Sequence, residues 1–295
     1  MDFKQIEAFV NVVRYKSFSK AADATFFTQP TISTHIRNLE KELGVKLLDR
    51  KSRAVEMTPQ GSKFYKYAVE MINARAQAFD ALNDPSGSIG GILEIQTSSI
   101  PAVTFLPDFL SGFRTSHPGI QYYVSVSDTQ TVIENIAERR GEIGFIGEPV
   151  SSSSMECTKV ATDRSVLIVP PDYDIPSQIT LAEAIRYPFI WRETGSATRK
   201  TVEQAALRAG FDKDVFDVAA LVDDMDTMIR SVEAGLGVAI ISEKVASSIG
   251  GRVRTIDIKD FNDDRTFYMI NLRNTSFSLA ADAFSNYVKA GIKDR

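Results

Sequence analysis

The sequence predicts an α/β protein made of three consecutive segments: a small helical head (residues 1–57), a linker helix (58–91) and a larger body (92–295). Three observations carry this prediction. Residues 1–66 have a net charge of +5, whereas the remainder has −9. The stretch "TQPTISTHIRNLEKELG", residues 28–44, combines a helical repeat with small polar side chains. After residue 92, short apolar strands alternate with amphipathic helices, which is typical of a sheet covered by helices.

The composition excludes several classes of protein. No run of about 18 apolar residues occurs, so we predict no membrane span and no membrane partner. The N-terminal residues carry charges throughout and lack an apolar signal core, which predicts a cytoplasmic location. Cys157 is the only cysteine, so an intrachain disulfide and a cysteine-based metal cluster are excluded. We expect neither a metal nor a cofactor.

Three helices are predicted in the head. The first has apolar residues at helical spacing, namely Phe3, Ile6, Phe9, Val10 and Val13. The second, about residues 19–24, contains Ala21 and Ala22, whose small side chains let two helices approach closely. The third follows Thr28 as its cap, has Pro30 in its first turn and ends at Gly44. Its buried side is predicted to consist of Ile32, Ile36, Leu39 and Leu43.

The outward side of the third helix carries short hydroxyl and amide groups and an arginine. Such groups can hydrogen-bond base edges in a DNA major groove, so we predict a helix–turn–helix with residues 29–42 as the recognition helix. The next stretch, "GVKLLDRKSRAVEMT", predicts a β-wing whose basic tip suits phosphate or minor-groove contacts. The residues predicted to contact DNA are Thr28, Gln29, Pro30, Thr31, Ser33, Thr34, Arg37, Arg50 and Arg53.

The stretch from residue 18 to residue 61 resembles the winged helix–turn–helix of LysR-type transcriptional regulators. The matching features are Ala21–Ala22, Gln29–Pro30, Ser33, Ile36, Leu39–Glu40, Leu43–Gly44, Leu47, Arg50 and Thr58–Gly61. The position after Ser33 is commonly arginine in that family and is Thr34 here. The resemblance implies a regulator that is not an enzyme. It also implies binding of double-stranded DNA as a homotetramer, with RNA polymerase as a further partner.

A long apolar stripe runs along the predicted linker helix, which Thr58 caps and Pro59 begins. Its members are Phe64, Ala68, Met71, Ile72, Ala78, Phe79 and Leu82. The head offers no surface long enough for this stripe, so we expect a second copy to cover it; the alternative is packing against the body. In the resembled family this helix pairs antiparallel with its mate to make the dimer. The Gly- and Ser-rich stretch at residues 83–91 then predicts a hinge.

The body begins with a βαβαβ pattern, which predicts a parallel sheet with helices on its faces. The number of elements fits two lobes. We predict lobe I at residues 92–162 and 266–295, and lobe II at 163–265. This two-lobed arrangement is that of periplasmic solute-binding proteins, which the effector domains of LysR-type regulators resemble. The body is therefore predicted to be a periplasmic-binding-protein-like α/β effector domain.

In such sheets a ligand binds beyond the carboxyl ends of the strands, close to helix N-termini. Hydroxyls and glycines occupy those positions in both lobes, and the predicted ligand-binding residues are Thr97, Ser98, Ser99, Thr129, Gly147, Thr194, Gly195 and Ser196. They predict a small anion or carboxylate as effector and resemble family members that sense sulfur-related anions. Helix capping alone is the competing explanation for each hydroxyl. Glu148 or Asp223 would suit the amine of an amino-acid-like effector instead.

Other function classes are less well supported. The sequence contains no nucleophile elbow, Walker A or zinc-protease motif. It has only two histidines, which gives few candidates for a general acid or base. A redox-responsive regulator remains an alternative, although Cys157 alone could form only a sulfenic acid or a mixed disulfide. A solute carrier or an enzyme with the two-lobed fold is less favoured, since neither needs a basic head.

Overall fold

The computed structural model describes residues 1–25, 27–49, 55–83, 89–261, 264–273 and 277–292. The helices of these segments are α1 Phe3–Tyr15, α2 Phe18–Thr25, α3 Gln29–Leu43, α4 Pro59–Asn83, α5 Ser99–Val103, α6 Leu106–Ser116, α7 Thr129–Ala137, α8 Leu181–Ala184, α9 Ala197–Arg208, α10 Met225–Glu233, α11 Glu243–Ser248 and α12 Leu279–Gly291. The strands are β1 Leu48–Asp49, β2 Glu56–Met57, β3 Gly91–Ser98, β4 Ile120–Ser127, β5 Ile143–Ile146, β6 Met155–Val169, β7 Gln178–Ile179, β8 Phe189–Arg192, β9 Val218–Val222, β10 Ala239–Ser242, β11 Arg254–Ile258 and β12 Asp264–Leu272.

The head folds around the apolar faces of α1, α2 and α3. The fully buried residues include Phe9, Ile32, Ile36 and Leu39 of the predicted stripes, together with Ala21. Phe3, which was predicted for the α1 stripe, is 40% exposed and lies against the Arg75 guanidinium instead. Helix α3 is confirmed with its predicted ends: Thr28 caps it through the Thr31 N–H, and Gly44 closes it at a left-handed φ of 70°. The two strands of the wing, β1 and β2, pair antiparallel.

The first half of α4 belongs to the core of the head. Tyr65 and Ala68 are buried there, and the Phe64 ring lies 5.6 Å from the Phe9 ring. The head therefore covers this part of the stripe itself, and cover of the remaining part by a second copy stays a prediction. A local reason lies at Gly61, where an added Cβ would be 2.0 Å from the Leu47 carbonyl oxygen. Glycine lets α4 dock against the wing at that point.

The chain divides into two compact units. The first unit contains Met1–Leu93, Arg114–Tyr123 and Phe277–Asp282, and the second contains Glu94–Phe113, Val124–Ser276 and Ala283–Arg295. The first holds the head and α4, and the second holds most of the body. The boundaries predicted from the sequence at residues 57, 91, 163 and 265 stay predictions.

The main sheet of the body is mixed, whereas the βαβαβ pattern predicted a parallel one. Its strand order is β4-β3-β5-β12-β6-β11-β7, with β10 also paired to β6. Strands β3 and β5 are parallel, but β12 runs antiparallel to both β5 and β6. The last strand of the chain thus returns between earlier strands, which a local pattern does not reveal. Strands β7 and β11 and helix α11 were also missed by the sequence analysis.

Two long strands connect the lobes of the body. Strands β6 and β12 pair antiparallel along their whole overlap, from Met155 opposite Leu272 to Arg164 opposite Asp264. Lobe I is built on β3, β4 and β5 with α5–α7 and α12, and lobe II on β7–β11 with α8–α11. Strands β8 and β9 are parallel and attach to lobe II through the bridge from Phe189 to Val238. The aromatic residues Phe189, Trp191 and Phe216 form the centre of its core.

No helix in the described part of the chain has the length and apolar character needed to cross a bilayer. Among the same residues, His, Cys, Asp and Glu side chains form no group of three or more that could hold a metal ion.

Candidate functional site

The outward side of α3 carries the polar residues that the sequence predicted for DNA contact. Gln29, Pro30, Thr34 and Arg37 are exposed, and Thr28 is exposed at the cap. Thr31 and Ser33 are half-buried. The opposite side of the helix is anchored in the core of the head, so α3 presents this surface from a fixed support. Arg50 and Arg53, the two predicted wing residues, lie outside the described residues.

Two of the α3 hydroxyls already bond within the helix. Thr34 Oγ1 donates to the Pro30 carbonyl at 2.9 Å, and Thr31 Oγ1 lies 2.8 Å from Thr28 Oγ1. These bonds fix both rotamers and leave oxygen lone pairs as acceptors. Arg37, with five N–H donors and an exposed position, is the group on this surface best suited to guanine O6 and N7.

Glu40 holds the wing against α3, a role that the sequence analysis did not assign. Its carboxylate is 3% exposed and accepts hydrogen bonds from Lys46 Nζ at 2.7 Å, Leu47 N at 2.9 Å and Leu48 N at 3.3 Å. Burial alone would raise the pKa of Glu40, but the bonds from Lys46, Leu47 and Leu48 outweigh it and lower the pKa below its ordinary value. Glu40 is thus an ionised structural anchor.

A cleft lies between the two lobes of the body, beside the crossing strand β12. It is narrow, and its walls are Ser98, Ser99, Ile100, Asp128, Thr129, Gly147, Glu193, Ser196, Ala197, Thr198, Arg265 and Phe267. The residues from lobe I follow the carboxyl ends of β3, β4 and β5, and those from lobe II follow β8. This is the location that the sheet topology predicts for a ligand.

The structure separates the hydroxyls that cap helices from those that do not. Ser196 caps α9 by accepting a long hydrogen bond of 3.5 Å from Arg199 N. Ser98 precedes α5 without any side-chain cap bond, although it is only 7% exposed. Thr129 is likewise buried, in the first position of α7. Capping therefore explains Ser196 but not Ser98.

Of the eight predicted ligand residues, five line the cleft: Ser98, Ser99, Thr129, Gly147 and Ser196. Gly195 lies at the edge, since an added Cβ would be 2.2 Å from Asp128 Oδ1. Thr97 is fully buried in β3 and donates to the Ser98 carbonyl at 3.0 Å. Thr194 is exposed and does not line the cleft.

Arg265 is the cleft residue that sequence reasoning missed. It lies on β12, is 4% exposed, and places Nη2 3.5 Å from where a Cβ of Gly147 would be. Its guanidinium carbon is 5.6 Å from the centre of the Phe267 ring. An arginine in a strand has no sequence signal of its own. Only the return of β12 between β5 and β6 brings its charge to the cleft.

Two arginines of lobe II, Arg192 and Arg199, form ion pairs there and do not line the cleft. Arg192 bonds Glu193 at 2.7 Å and reaches Ser99 Oγ on lobe I at 3.3 Å. Arg199 pairs with Glu203 at 2.7 Å. Arg139 has a left-handed φ of 60° in an exposed turn. Arg265 lines the cleft and none of these three does, so it is the arginine best placed for an anionic ligand.

The acidic residues also differ from the sequence expectation. Glu148 forms an ion pair with Lys200 of lobe II at 2.9 Å, and Asp223 is exposed outside the cleft. Two acids do line the cleft, Glu193 and Asp128, and Asp128 caps α7 by accepting from Thr131 N at 3.0 Å. The lobes thus touch beside the cleft at Glu148–Lys200, Ser99–Arg192 and Asp128–Gly195.

Comparison with known families matches both parts of the chain. Residues 3–62 match the family described as bacterial regulatory helix-turn-helix protein, lysR family, and residues 86–293 match the LysR substrate binding domain. The second match alone covers more than half of the chain. The chain belongs to the LysR family of transcriptional regulators. It is a DNA-binding regulator with an effector-binding domain, and the resemblance seen in the sequence is confirmed.

Relatives of this LysR-type regulator span nearly its whole length. An uncharacterized HTH-type transcriptional regulator of Methanocaldococcus jannaschii, MJ0300, is 27% identical over 96% of both chains. The HTH-type transcriptional activator CmpR of Synechocystis is 26% identical over 97% of this chain and 94% of its own. These relatives are transcriptional regulators and not enzymes.

Solved structures show the same fold. The LysR family regulator CbnR has a TM-score of 0.71 at 20% identity over the full length of both chains, and CbnR complexed with its target DNA has 0.69. Two effector-domain structures contain ligands, and each has a TM-score of 0.63. The Synechocystis CcmR regulatory domain, with 2-PG, is 22% identical and covers 69% of this chain and 98% of its own. The effector binding domain of QuiR, with shikimate, is 16% identical and covers 70% and 99%.

Cys157 of this LysR-type regulator lies away from the cleft. It is half-buried on β6, opposite Ile270 of β12, and packs against the lobe I cluster of Val132, Ile136 and Ile146. This environment gives it a packing role.

Proposed function

We propose that a small anion or carboxylate, bound in the cleft between the lobes, controls how this regulator binds DNA. The ligand stabilises the closed arrangement of the lobes, which changes how the bodies of an oligomer pack and so changes the spacing of the DNA-binding heads. A coupling free energy of about 1–3 kcal/mol would change DNA occupancy roughly 5- to 150-fold.

The observation that carries this proposal is the position of Arg265. Its buried guanidinium opens into a cleft whose other walls supply hydroxyls from both lobes, Ser98 and Thr129 from one and Ser196 from the other. A charge-assisted hydrogen bond from a buried guanidinium is roughly twice as strong as a neutral one. An anion bound there would contact both lobes, as closure requires.

The ligands of the structural neighbours support an anionic effector without identifying it. CcmR was solved with 2-PG and QuiR with shikimate. Sulfur-related anions, which the residue pattern suggested, remain part of the proposal. A thermal-shift screen of the full chain should therefore include sulfate, thiosulfate, sulfite, phosphate, 2-PG and shikimate. Binding to the folded state raises the unfolding midpoint by mass action.

Variants tie any such shift to the cleft. We expect Ser98→Ala and Arg265→Gln to lose the ligand-induced shift. Ser231→Ala and Arg254→Gln are matched controls, since Ser231 bonds Thr227 O on α10 and Arg254 bonds backbone carbonyls of Tyr173 and Ile175. Equal ligand shifts in Arg265→Gln and the unmodified chain would refute the cleft as the binding site.

Recognition of DNA by α3 is the second part of the proposal. Arg37→Ala should weaken binding to the operator by about 1–3 kcal/mol, as expected for loss of a bidentate base contact, and should affect non-specific DNA far less. Ser33→Ala should show the same selectivity with a smaller loss. Mobility-shift titrations on operator and unrelated DNA measure both effects. Equal losses on the two DNAs would contradict base reading by α3.

We also propose a homodimer formed through α4, and a homotetramer on DNA. The second half of α4 supports it, because Phe79 is 55% exposed there while the first half packs into the head. Phe79→Arg should lower the molar mass measured by sedimentation equilibrium, whereas Glu70→Gln, at an exposed position of the same helix, should not. An unchanged mass in Phe79→Arg would exclude this part of α4 from the interface.

A further inference from the structure

The cleft carries both signs of charge. Arg265 contributes a buried guanidinium, and Asp128 contributes a carboxylate on the lobe I wall. The other described acid of the cleft wall, Glu193, is bound to Arg192 by a bidentate pair of 2.7 and 2.9 Å. Glu148, just outside the wall, is matched by Lys200. Of the two acids in this wall, Glu193 is neutralised by Arg192, whereas Asp128 is bonded by the uncharged groups of Thr131. The negative charge of Asp128 is therefore the one that acts on an incoming ligand.

The partners of Asp128 are uncharged. Its carboxylate accepts from the Thr131 backbone N–H and the Thr131 hydroxyl, both on α7. Its Oδ1 also faces the backbone of Gly195 across the cleft. Burial alone would raise the pKa of Asp128, but the bonds from Thr131 and neighbouring backbone N–H groups lower it below its ordinary value of 3.8. The group is thus an anion at neutral pH.

A plain anion meets two opposed forces in such a cleft. Arg265 attracts it, while the carboxylate of Asp128 repels it, and salt screens partly buried charges less than exposed ones. A ligand with a hydroxyl or ammonium group beside its acid group removes the conflict by donating a hydrogen bond to Asp128. A site built to bond such a donor rejects the analogue that lacks it, because its own polar group is then left without a partner.

We infer that Asp128 is a specificity residue and that the effector is a small hydroxy acid or amino acid, bound through its acid group at Arg265 and through its hydroxyl or ammonium group at Asp128. This rests on the proposed function of the cleft and names the ligand class. It replaces Glu148 and Asp223, the acids that the sequence suggested for contact with an amine.

Matched acids test the inference. Propionate, lactate and alanine differ only at carbon 2, as do succinate, malate and aspartate. Titration calorimetry of the full chain should find at least one hydroxy or amino derivative binding about tenfold or more tightly than its parent acid. In Asp128→Asn that preference should fall below about threefold, because the charge is lost while asparagine still caps α7.

The matched control is Asp224→Asn. Asp224 caps α10 in lobe II by accepting from Thr227 N at 2.7 Å, and it does not line the cleft. This variant should keep the full preference. Retention of the preference in Asp128→Asn would overturn the role of Asp128.

The other outcomes separate this inference from the proposed function. Parent acids that bind as tightly as their derivatives, with binding lost in Arg265→Gln, would overturn the inference and leave an anion-binding cleft in place. Failure of all six compounds to bind would also overturn the inference. Whether the cleft binds an anion at all is tested separately by the wider anion screen. A preference that survives Arg265→Gln would overturn the two-point arrangement.

Discussion

Gly195 of lobe II lies directly against the carboxylate of Asp128 in lobe I. A Cβ added to Gly195 would be 2.2 Å from Asp128 Oδ1 and 2.6 Å from Cγ, closer than any real Cβ contact. An alanine at this position would therefore force the Asp128 side chain or the two lobes to shift, and the φ of Gly195 is not in the left-handed region. This contact makes closure of the cleft testable without knowing the ligand.

Gly195→Ala should destabilise the closed body by about 1–3 kcal/mol, the usual cost of overpacking a fitted contact. Urea unfolding followed by tryptophan fluorescence measures it, since Trp191 lies in the core of lobe II. Gly291→Ala is the control, because its added Cβ would meet Phe109 at an ordinary 3.6 Å. In an Asp128→Ala background the effect of Gly195→Ala should shrink, and strictly additive effects would rule out the clash.

The ion pair between Glu148 and Lys200 should hold the lobes together weakly. Both side chains are about one-third exposed, so we expect a coupling free energy of roughly 0.5–1 kcal/mol. A double-mutant cycle with Glu148→Gln and Lys200→Met measures it. At 1 M salt, where the Debye length is about 3 Å, the coupling should decrease. A coupling that does not respond to salt would contradict an electrostatic contact.

Asn73 should fix the start of β3 to the linker helix. Its side chain is 3% exposed, donates to the Ile92 carbonyl at 3.1 Å and accepts from Ile92 N at 2.9 Å. Asn73→Leu leaves both half-buried backbone groups without these bonds, at a cost of about 0.5–1.5 kcal/mol for each bond. Hydrogen exchange of peptides covering residues 91–93 should speed up, while exchange in β5 should not change. Unchanged protection at Ile92 would show that the bonds are dispensable.

Glu40 should make the stability of the wing depend on pH. Because its folded pKa lies below the ordinary value of 4.5, its contribution is fully present above that pH and is lost as pH falls through the lower folded pKa. Glu40→Ala should remove the contribution at pH 7 and expose Leu47 and Leu48 amides to faster exchange. Glu70→Gln, on exposed α4 surface, should leave these amides unaffected. Equal protection of the two amides in Glu40→Ala and the unmodified chain at pH 7 would exclude the anchor.

The sequence by itself determined the head and the family. Apolar spacing placed α1 to α3, Thr28 and Gly44 marked the ends of α3, and the order of residues from Phe18 to Gly61 was enough to recognise the family. These features are local, because a helix, its caps and its outward face follow from residues within a few positions of one another. For the same reason the hydroxyls after β3 and β4 could be predicted as candidates.

Only the tertiary structure decided which charged residues line the cleft and which part of the linker helix packs against the head. Arg265 and Asp128 lie 137 positions apart and meet at one cleft because β12 returns between β5 and β6. Packing of α4 on Phe9 likewise depends on the route of the wing between them. The order of distant strands and the contact between the lobes produce no periodic pattern in the sequence. They nevertheless determine which charged side chains a ligand contacts.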